Sequence, residues 1–301
     1  MSRRKKLRII IPVVAVFFLG AYAKHRLIDS KIQPGGILSD KEMDETSGIA
    51  ASTLHPNVYY VHNDSGDTSR FFAIDPQGKL LTTIYYTGSG HGHGANDVED
   101  IAVGPGPKKG KSYVYLGDVG DNSSTKSFVN ISRFEEKADW GKETVAHTAP
   151  STLYLKYPDS PRDCEAIAVD PLEKLLYVIT KRWDSVSVYT TPLKFTPGDT
   201  AVLTFRTRLF FPGIKPFKWI TAADISKDGT QVLVKSYEKV YYWQRKPNEP
   251  IWQTLQRPYR ELPYKQERQG EAIGFTPDGK GYLTTSEGVY APIYYYDIPA
   301  K

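Results

Sequence analysis

Hydrophobic and polar residues alternate over short stretches along most of this chain, and turn-forming residues separate the stretches. Residues 58–61, 113–116 and 176–179 are typical stretches, rich in Val, Leu and Tyr, and Gly, Pro, Asp or Asn residues lie near their ends. Such short alternating runs are typical of half-buried β-strands. We find no convincing amphipathic helix beside them, so the pattern predicts an all-β protein.

A short phrase centred on an isoleucine recurs five times. The copies are Glu45-Thr-Ser-Gly-Ile-Ala, Asp97-Val-Glu-Asp-Ile-Ala, Asp163-Cys-Glu-Ala-Ile-Ala, Thr221-Ala-Ala-Asp-Ile-Ser and Gln269-Gly-Glu-Ala-Ile-Gly. Successive isoleucines are 52, 66, 58 and 48 residues apart. A period of this size indicates a repeat architecture.

Each repeat contains about four strand-like runs, which predicts a single β-propeller of four-stranded blades. Five blades are favoured, and six is the alternative if residues 132–157 hide an extra blade. In the fourth repeat, the last strand is predicted at residues 252–257. The fifth repeat supplies only three strands, so residues 32–38 are expected to supply the fourth and close the ring.

The first residues have the pattern of a targeting segment. Arg3, Arg4, Lys5, Lys6 and Arg8 precede an apolar run, and Ala21-Tyr-Ala23 follows it. This order predicts a signal peptide over residues 1–23, ahead of a propeller domain over 24–301. The alternative is an uncleaved membrane anchor, although the apolar run is short for a full span. Both interpretations place the domain outside the cytoplasm, in the periplasm or the extracellular space.

Net charge and cysteine content narrow the choice of partners. The formal charge of +5 falls to zero once the five basic residues of the N-terminal segment are subtracted. A basic surface for nucleic acid is therefore not expected. A single cysteine, Cys164, excludes an internal disulfide. We expect a monomer whose partner is an anionic small molecule or a component of the cell envelope.

Acidic residues cluster in the loops predicted to lie at one end of the central channel. The candidate metal ligands are Glu45, Asp64, Asp97, Glu99, Asp118, Asp121, Glu165 and Glu271. Carboxylates crowded at a channel mouth repel one another unless Lys, Arg or a metal ion offsets their charge. Calcium takes six to eight oxygen ligands in irregular geometry, so it is the expected metal. Any one of these acids taken alone is more commonly a turn cap.

Other residues of the same loops suggest further chemistry. The candidates for substrate binding are His62, Lys181, Arg182 and Arg268, and those for catalysis are Glu99, Glu165 and Glu271. The loops 63–67 and 117–122 are near-copies that suit either calcium or a pair of Asx-turns. His91-Gly-His93 could bind zinc, but a Gly-rich loop is the alternative.

Several phrases resemble a known group of proteins. Thr46-Ser-Gly-Ile-Ala, Val61-His-Asn-Asp, Val98-Glu-Asp-Ile-Ala and Gly270-Glu-Ala-Ile are similar to those of bacterial exported propellers of the phytase-like and SdiA-regulated groups. The resemblance implies calcium at the channel mouth and phosphoester hydrolysis by a metal-bound water. It assigns Glu45, Glu99, Glu165 and Glu271 as channel acids. Ala223 departs from the pattern, and a dense Lys/Arg cluster for phytate is missing.

Three functions remain open from the sequence. The first is an exported, calcium-dependent hydrolase of phosphoesters or esters. The second is a non-catalytic binding or scaffold propeller that recognises a peptide, a glycan or an envelope partner. The third is a glycosidase that uses two of the ring carboxylates.

Overall fold

The computed structural model describes residues 32–87 and 97–300. The predicted signal peptide and the His91-Gly-His93 phrase lie outside the described residues. In chain order the strands are β1 (Ile32–Ile37), β2 (Thr46–Ala51), β3 (Tyr59–Asn63), β4 (Arg70–Ile74), β5 (Leu80–Tyr86), β6 (Val98–Pro105), β7 (Ser112–Asp118), β8 (Val129–Glu135), β9 (Val145–Thr148), β10 (Ser151–Lys156), β11 (Cys164–Asp170), β12 (Leu175–Thr180), β13 (Val186–Pro192), β14 (Thr200–Val202), β15 (Thr204–Leu209), β16 (Ile220–Ile225), β17 (Gln231–Ser236), β18 (Val240–Gln244), β19 (Arg260–Leu262), β20 (Ala272–Phe275), β21 (Gly281–Thr285) and β22 (Pro292–Asp297).

These strands form five sheets, arranged as the blades of a β-propeller, in which all but two of the strand pairs are antiparallel. The innermost strands are β2, β6, β11, β16 and β20, and each packs against the innermost strand of the next blade. Each of these strands carries one copy of the isoleucine-centred phrase. The predicted five-bladed propeller is confirmed.

The N-terminal strand closes the ring as the sequence predicts. β1 pairs antiparallel with β22, with Ile37 opposite Pro292, and becomes the outermost strand of the fifth blade. The last blade is therefore built from both ends of the described chain.

The long second repeat extends existing blades instead of forming a sixth one. Strand β9 of this repeat pairs parallel with β5 and so adds a strand to the first blade. Strand β14, which comes later in the chain, pairs parallel with β10 and adds a strand to the second blade. The connection before β9 carries Trp140, which is fully buried with its ring 5.9 Å from that of Tyr60 and 5.4 Å from that of Phe71. This segment covers the outside of the first blade, so the six-blade alternative is wrong.

The predicted last strand of the fourth blade is also wrong. Residues Ile251–Thr254 form a single helical turn, α1, and β19 supplies the outer strand. Ile251 and Leu255 lie one turn apart and both are buried in the core between the third and fourth blades. Pro250 begins the turn, and its fixed φ suits the start of a helix. A segment this short can be a strand or a helical turn, and the spacing of its apolar residues alone does not separate the two.

The residue before each repeat isoleucine faces a crowded axis. A side chain at Gly48 would meet Nε2 of His62 at 2.5 Å and the backbone nitrogen of Ile101 at 2.9 Å. Ala166 and Ala272 hold the same position in the third and fifth blades, and both are fully buried. In these three blades small residues fit the crowded axis, and at Gly48 the neighbouring groups leave no room for even a Cβ atom.

Two aspartates take this position in the other blades and tie neighbouring blades together. The buried Asp100 carboxylate accepts hydrogen bonds from its neighbour Ile101 (2.9 Å) and from the backbone of Ile167 (2.9 Å) and Ala223 (3.3 Å). Asp224 accepts from the backbone nitrogens of Ile225 and Phe275, both at 2.8 Å. Asp100 thus joins the second blade to the third and fourth, and Asp224 joins the fourth to the fifth.

No helix in residues 32–87 and 97–300 has the length and hydropathy needed to cross a membrane.

Candidate metal centre at the channel mouth

Three buried glutamates stand at equivalent places where the inner strands begin. The residue two places before each isoleucine is, in order, Ser47, Glu99, Glu165, Ala223 and Glu271. The glutamates at this position are 2%, 2% and 3% exposed. We call this end of the propeller the channel mouth.

The first blade contributes a serine to this ring, and Glu45 lies outside it. Glu45 is exposed, and its backbone oxygen accepts a hydrogen bond from the Asp64 nitrogen at 2.8 Å. Ser47 is fully buried, and its hydroxyl donates to the Glu99 carbonyl at 2.8 Å and to Glu271 Oε2 at 3.3 Å. The ring therefore has three glutamates, and Ser47 links two of them through the backbone of Glu99 and the side chain of Glu271.

Five carboxylates converge at the mouth in two overlapping groups. One oxygen from each of Asp64, Glu271 and Glu287 lies within 4.8 Å of the others, and the same is true of Asp64, Asp97 and Glu99. Asp64 belongs to both groups. We refer to these five residues as the acid cluster.

Glu287 was missing from the eight ligands predicted from the sequence. It follows the second strand of the fifth blade, and Asp64 follows the second strand of the first blade. That equivalence was the signal by which Glu287 could have been found.

A glycine and two hydroxyl groups hold the cluster in place. A side chain on Gly120 would overlap Glu99 Oε1 and lie 2.6 Å from Cγ of Asp97, so only glycine lets these two carboxylates approach the backbone. Glu271 accepts from the Tyr237 hydroxyl at 2.7 Å as well as from Ser47. The carboxylates are therefore positioned by neutral donors and by a close backbone approach.

Two lysines offset part of the negative charge. Buried Lys181 forms an ion pair with Oε1 of Glu165, next to the cluster, and its ammonium lies 5.6 Å from the Tyr237 ring. Lys126 is ion-paired with Asp97 at 2.8 Å. Within the described residues, the five cluster acids and Glu165 therefore have two lysine partners between them, Lys126 and Lys181.

Burial and mutual repulsion shift the pKa values of these acids upward. Burial, followed by the charges of Glu165, Asp64 and Asp97, raises the pKa of Glu99 well above its usual range. Burial, with neighbouring carboxylates adding to it, raises the pKa of Asp64 to about 6 and that of Glu287 to about 7. Burial also raises the pKa of Glu165, and the Lys181 ammonium opposes that rise. Without a bound cation, the site therefore retains protons near neutral pH.

Two of the predicted ligands have structural roles in the loop of the second blade. Asp121 accepts from the backbone nitrogens of Thr125 (3.0 Å) and Lys126 (2.8 Å), four and five residues further on, and so holds the turn of this loop. Asp118 is buried and accepts from the Asp97 nitrogen at 3.1 Å. In this loop Asp121 holds the backbone, whereas the equivalent loop of the first blade sends Asp64 into the cluster.

Of the four residues predicted to bind substrate, two are engaged with acids. Lys181 pairs with Glu165, and Arg182 pairs with Asp163 and stacks on the ring of Trp219 at 4.7 Å. Because both cations are already paired, they stabilise the channel mouth and are not free to bind an incoming anion.

The other two are an exposed arginine and a buried histidine. Arg268 is exposed and forms no ion pair or hydrogen bond within the described residues. His62 is buried, and its Nδ1 lies 2.8 Å from the Asn63 carbonyl. Burial lowers the pKa of His62 to about 4, so this ring is neutral near pH 7.

Stability without added cations should fall as the pH rises. An acid whose pKa is higher in the folded state stabilises that state below its ordinary pKa, and the stabilisation is lost as the pH passes the folded pKa. The values for Asp64 and Glu287, about 6 and about 7, place the loss between about pH 4 and pH 8. Thermal unfolding in EDTA should give a higher Tm at pH 5 than at pH 8. A Tm that rises over this interval would contradict the raised pKa values.

In comparisons with known proteins, no family model matches this chain, and no curated protein matches it. The resemblance to phytase-like and SdiA-regulated propellers stays a prediction. Function must therefore be argued from the geometry of the site.

Proposed function

We propose that this propeller binds a divalent cation at the channel mouth, with calcium as the preferred ion. The observation that carries the proposal is the pair of three-carboxylate groups that share Asp64. Oxygen atoms within 4.8 Å of one another are close enough to contact one ion at 2.3–2.6 Å. The acid cluster would supply the ligands, and its all-oxygen chemistry suits calcium better than zinc.

Charge and orphaned atoms near the cluster also favour a cation. Oε2 of Glu165 is buried and has no hydrogen-bond partner in the described part of the chain. Buried polar atoms normally have partners, so an orphaned carboxylate oxygen beside other acids suggests an unseen one. A divalent ion would offset the repulsion that otherwise keeps these acids protonated.

The proposed role is binding at the mouth through the cation. A calcium ion held on one side by carboxylates keeps positions for an external oxygen ligand. An anionic small molecule, or an acidic group of an envelope component, would fill those positions. This role requires export, for which the predicted signal peptide is the support.

Metal-dependent hydrolysis of a phosphoester or ester is the second candidate. Glu99 and Glu165 favour it, because buried carboxylates with raised pKa values can act as general acids. The engagement of Lys181 and Arg182 with acids counts against it, because a phosphoester substrate needs cations that are free to receive it. We therefore place binding ahead of hydrolysis.

Calcium should raise the Tm of residues 24–301. At a calcium concentration of about 100 times Kd, binding adds about 2.7 kcal/mol, which corresponds to a Tm increase of roughly 5–10 °C. Asp64→Asn should abolish most of the increase because Asp64 is shared by both groups. Asp278→Asn is the matched control, since that carboxylate caps a turn through the Lys280 nitrogen.

Two results would overturn the cation proposal: no Tm change at millimolar calcium, or an equal change in Asp64→Asn and the native protein. Parallel titration with magnesium tests ion preference. An assay of phosphoester, lactone and ester substrates with and without calcium separates the two functions. Turnover that Glu99→Gln and Glu165→Gln together abolish would favour the hydrolase, whereas we expect binding without turnover.

A further inference from the structure

The propeller has a second opening, at the end opposite the acid cluster, and it holds a cavity of about 380 Å³. Turns between the first and second strands of four blades line it, and a smaller adjoining depression adds Phe275 and Pro277 of the fifth blade. Strand β6 runs from one end to the other, and its eight residues place the ends roughly 20 Å apart. The two sites are therefore separate. We call this second site the rear pocket.

We propose that the rear pocket binds a small anionic amphiphile, a molecule with an apolar body and one acidic head group. The inference does not depend on cation binding at the channel mouth. It rests on three features of the pocket, which are its apolar wall, its lysines and its concave shape.

The wall of the rear pocket is largely apolar. Val103, Val169 and Ile225 line it at equivalent places near the ends of three inner strands, and Leu54 and Pro171 contribute from the turns. Leu54 is 46% exposed, so its side chain is open to a ligand at the cavity. Gly104 has no room for a side chain, because one would press on Val169, so the wall is packed closely behind the cavity. Such a surface favours a hydrocarbon or aromatic body.

The rim of the rear pocket is positively charged. Lys111, Lys174 and Lys227 line it from three different blades, and all three are exposed. Lys111 approaches Glu135 at 3.7 Å, while Lys174 donates to the Pro171 carbonyl. Within the described residues, neither Lys174 nor Lys227 has a carboxylate partner. The lining of the 380 Å³ cavity includes no acid, and Asp224, which lines the adjoining depression, is held by the backbone nitrogens of Ile225 and Phe275.

Charge and volume together define the occupant. Lys174 and Lys227, which have no carboxylate partner among the described residues, complement a negative head group, and the apolar cavity beside them complements an apolar body. A volume of about 380 Å³ lies in the range of sites for small molecules. A flat protein or membrane surface would leave such a concave cavity unfilled, so the pocket fits a small molecule better than either.

The test uses the fluorescent anion 8-anilinonaphthalene-1-sulfonate with residues 24–301 in EDTA, well below the Tm. We expect saturable fluorescence that reports one site. Lys174→Glu combined with Lys227→Glu should weaken binding at least about tenfold, because two attractive charges become repulsive. Lys156→Glu combined with Lys194→Glu is the matched control, since it changes the net charge equally at two exposed lysines outside the pocket. Leu54→Asp should also weaken binding.

Competition identifies the chemical class. Octanoate should displace the probe, whereas octanol, octylamine and inorganic phosphate should do so much more weakly. The proposal is overturned by non-saturable fluorescence, by equal weakening in both lysine pairs, or by equal displacement with octanol or with phosphate. The probe assay runs in EDTA and the channel-mouth proposal is tested by calcium titration, so failure at this site is distinguishable from failure of the channel-mouth proposal.

Discussion

Asp100→Ala is expected to lower the free energy of unfolding by about 3–5 kcal/mol, enough to reduce Tm by roughly 10 °C. The carboxylate accepts three backbone hydrogen bonds, two of them from other blades. Removing it leaves buried N–H groups of Ile101, Ile167 and Ala223 without partners, and each such loss costs about 1–3 kcal/mol. The alanine variant no longer has to desolvate a carboxyl group, and this gain offsets part of the cost. Thermal and urea unfolding would measure the change.

Two companion variants make the Asp100 experiment specific. Asp278→Ala removes a carboxylate that caps an exposed turn, and it should cost about 1 kcal/mol or less. Asp100→Asn keeps one acceptor oxygen but turns an amide group toward a backbone donor, so it should fall between the two alanine variants. If the Tm of Asp100→Ala equals the Tm of the native protein, Asp100 does not hold the blades together.

Lys181→Met should destabilise the calcium-free protein by about 3 kcal/mol at pH 8, because it leaves Glu165 without its buried ammonium partner. The loss should be smaller at pH 5, where Glu165 can take up a proton. Added calcium should then raise the Tm of this variant by more than it raises that of the native protein. The reason is that the ion would replace the missing positive charge beside the acid cluster.

Lys239→Met is the control for this second experiment. Lys239 pairs with Glu261 at 2.8 Å, and both side chains are partly exposed, so its loss should cost less than about 1 kcal/mol. Calcium should have the same effect on this variant as on the native protein. Equal calcium responses in Lys181→Met and Lys239→Met would argue against a cation near Glu165.

The repeat was readable from the sequence because each copy is fixed by packing at the axis. In every blade an isoleucine, preceded by a small residue or an aspartate, packs at the same crowded place on the inner strand. Counting back from that isoleucine also predicts Glu99, Glu165 and Glu271 at equivalent places. The same count places Ser47 at this position in the first blade, two residues after Glu45.

Other features depended on contacts that no local pattern records. Trp140 packs across onto the first blade, and the strand β9 that follows it pairs with β5, where Val145 lies opposite Thr83. The role of Asp100 depends on amide groups of two other blades. Glu287 approaches Asp64 only because the ring closes and brings the fifth blade beside the first.

Ring closure by β1 also has a consequence for synthesis of the chain. Its register joins Ile32 to Tyr296, so β1 finds its neighbour only once β22 has been made. Until then the fifth sheet lacks its outer strand, and β1 exposes backbone groups that can pair with other chains. A nascent chain of this protein should therefore depend on a chaperone, or on remaining unfolded, until its last strand is complete.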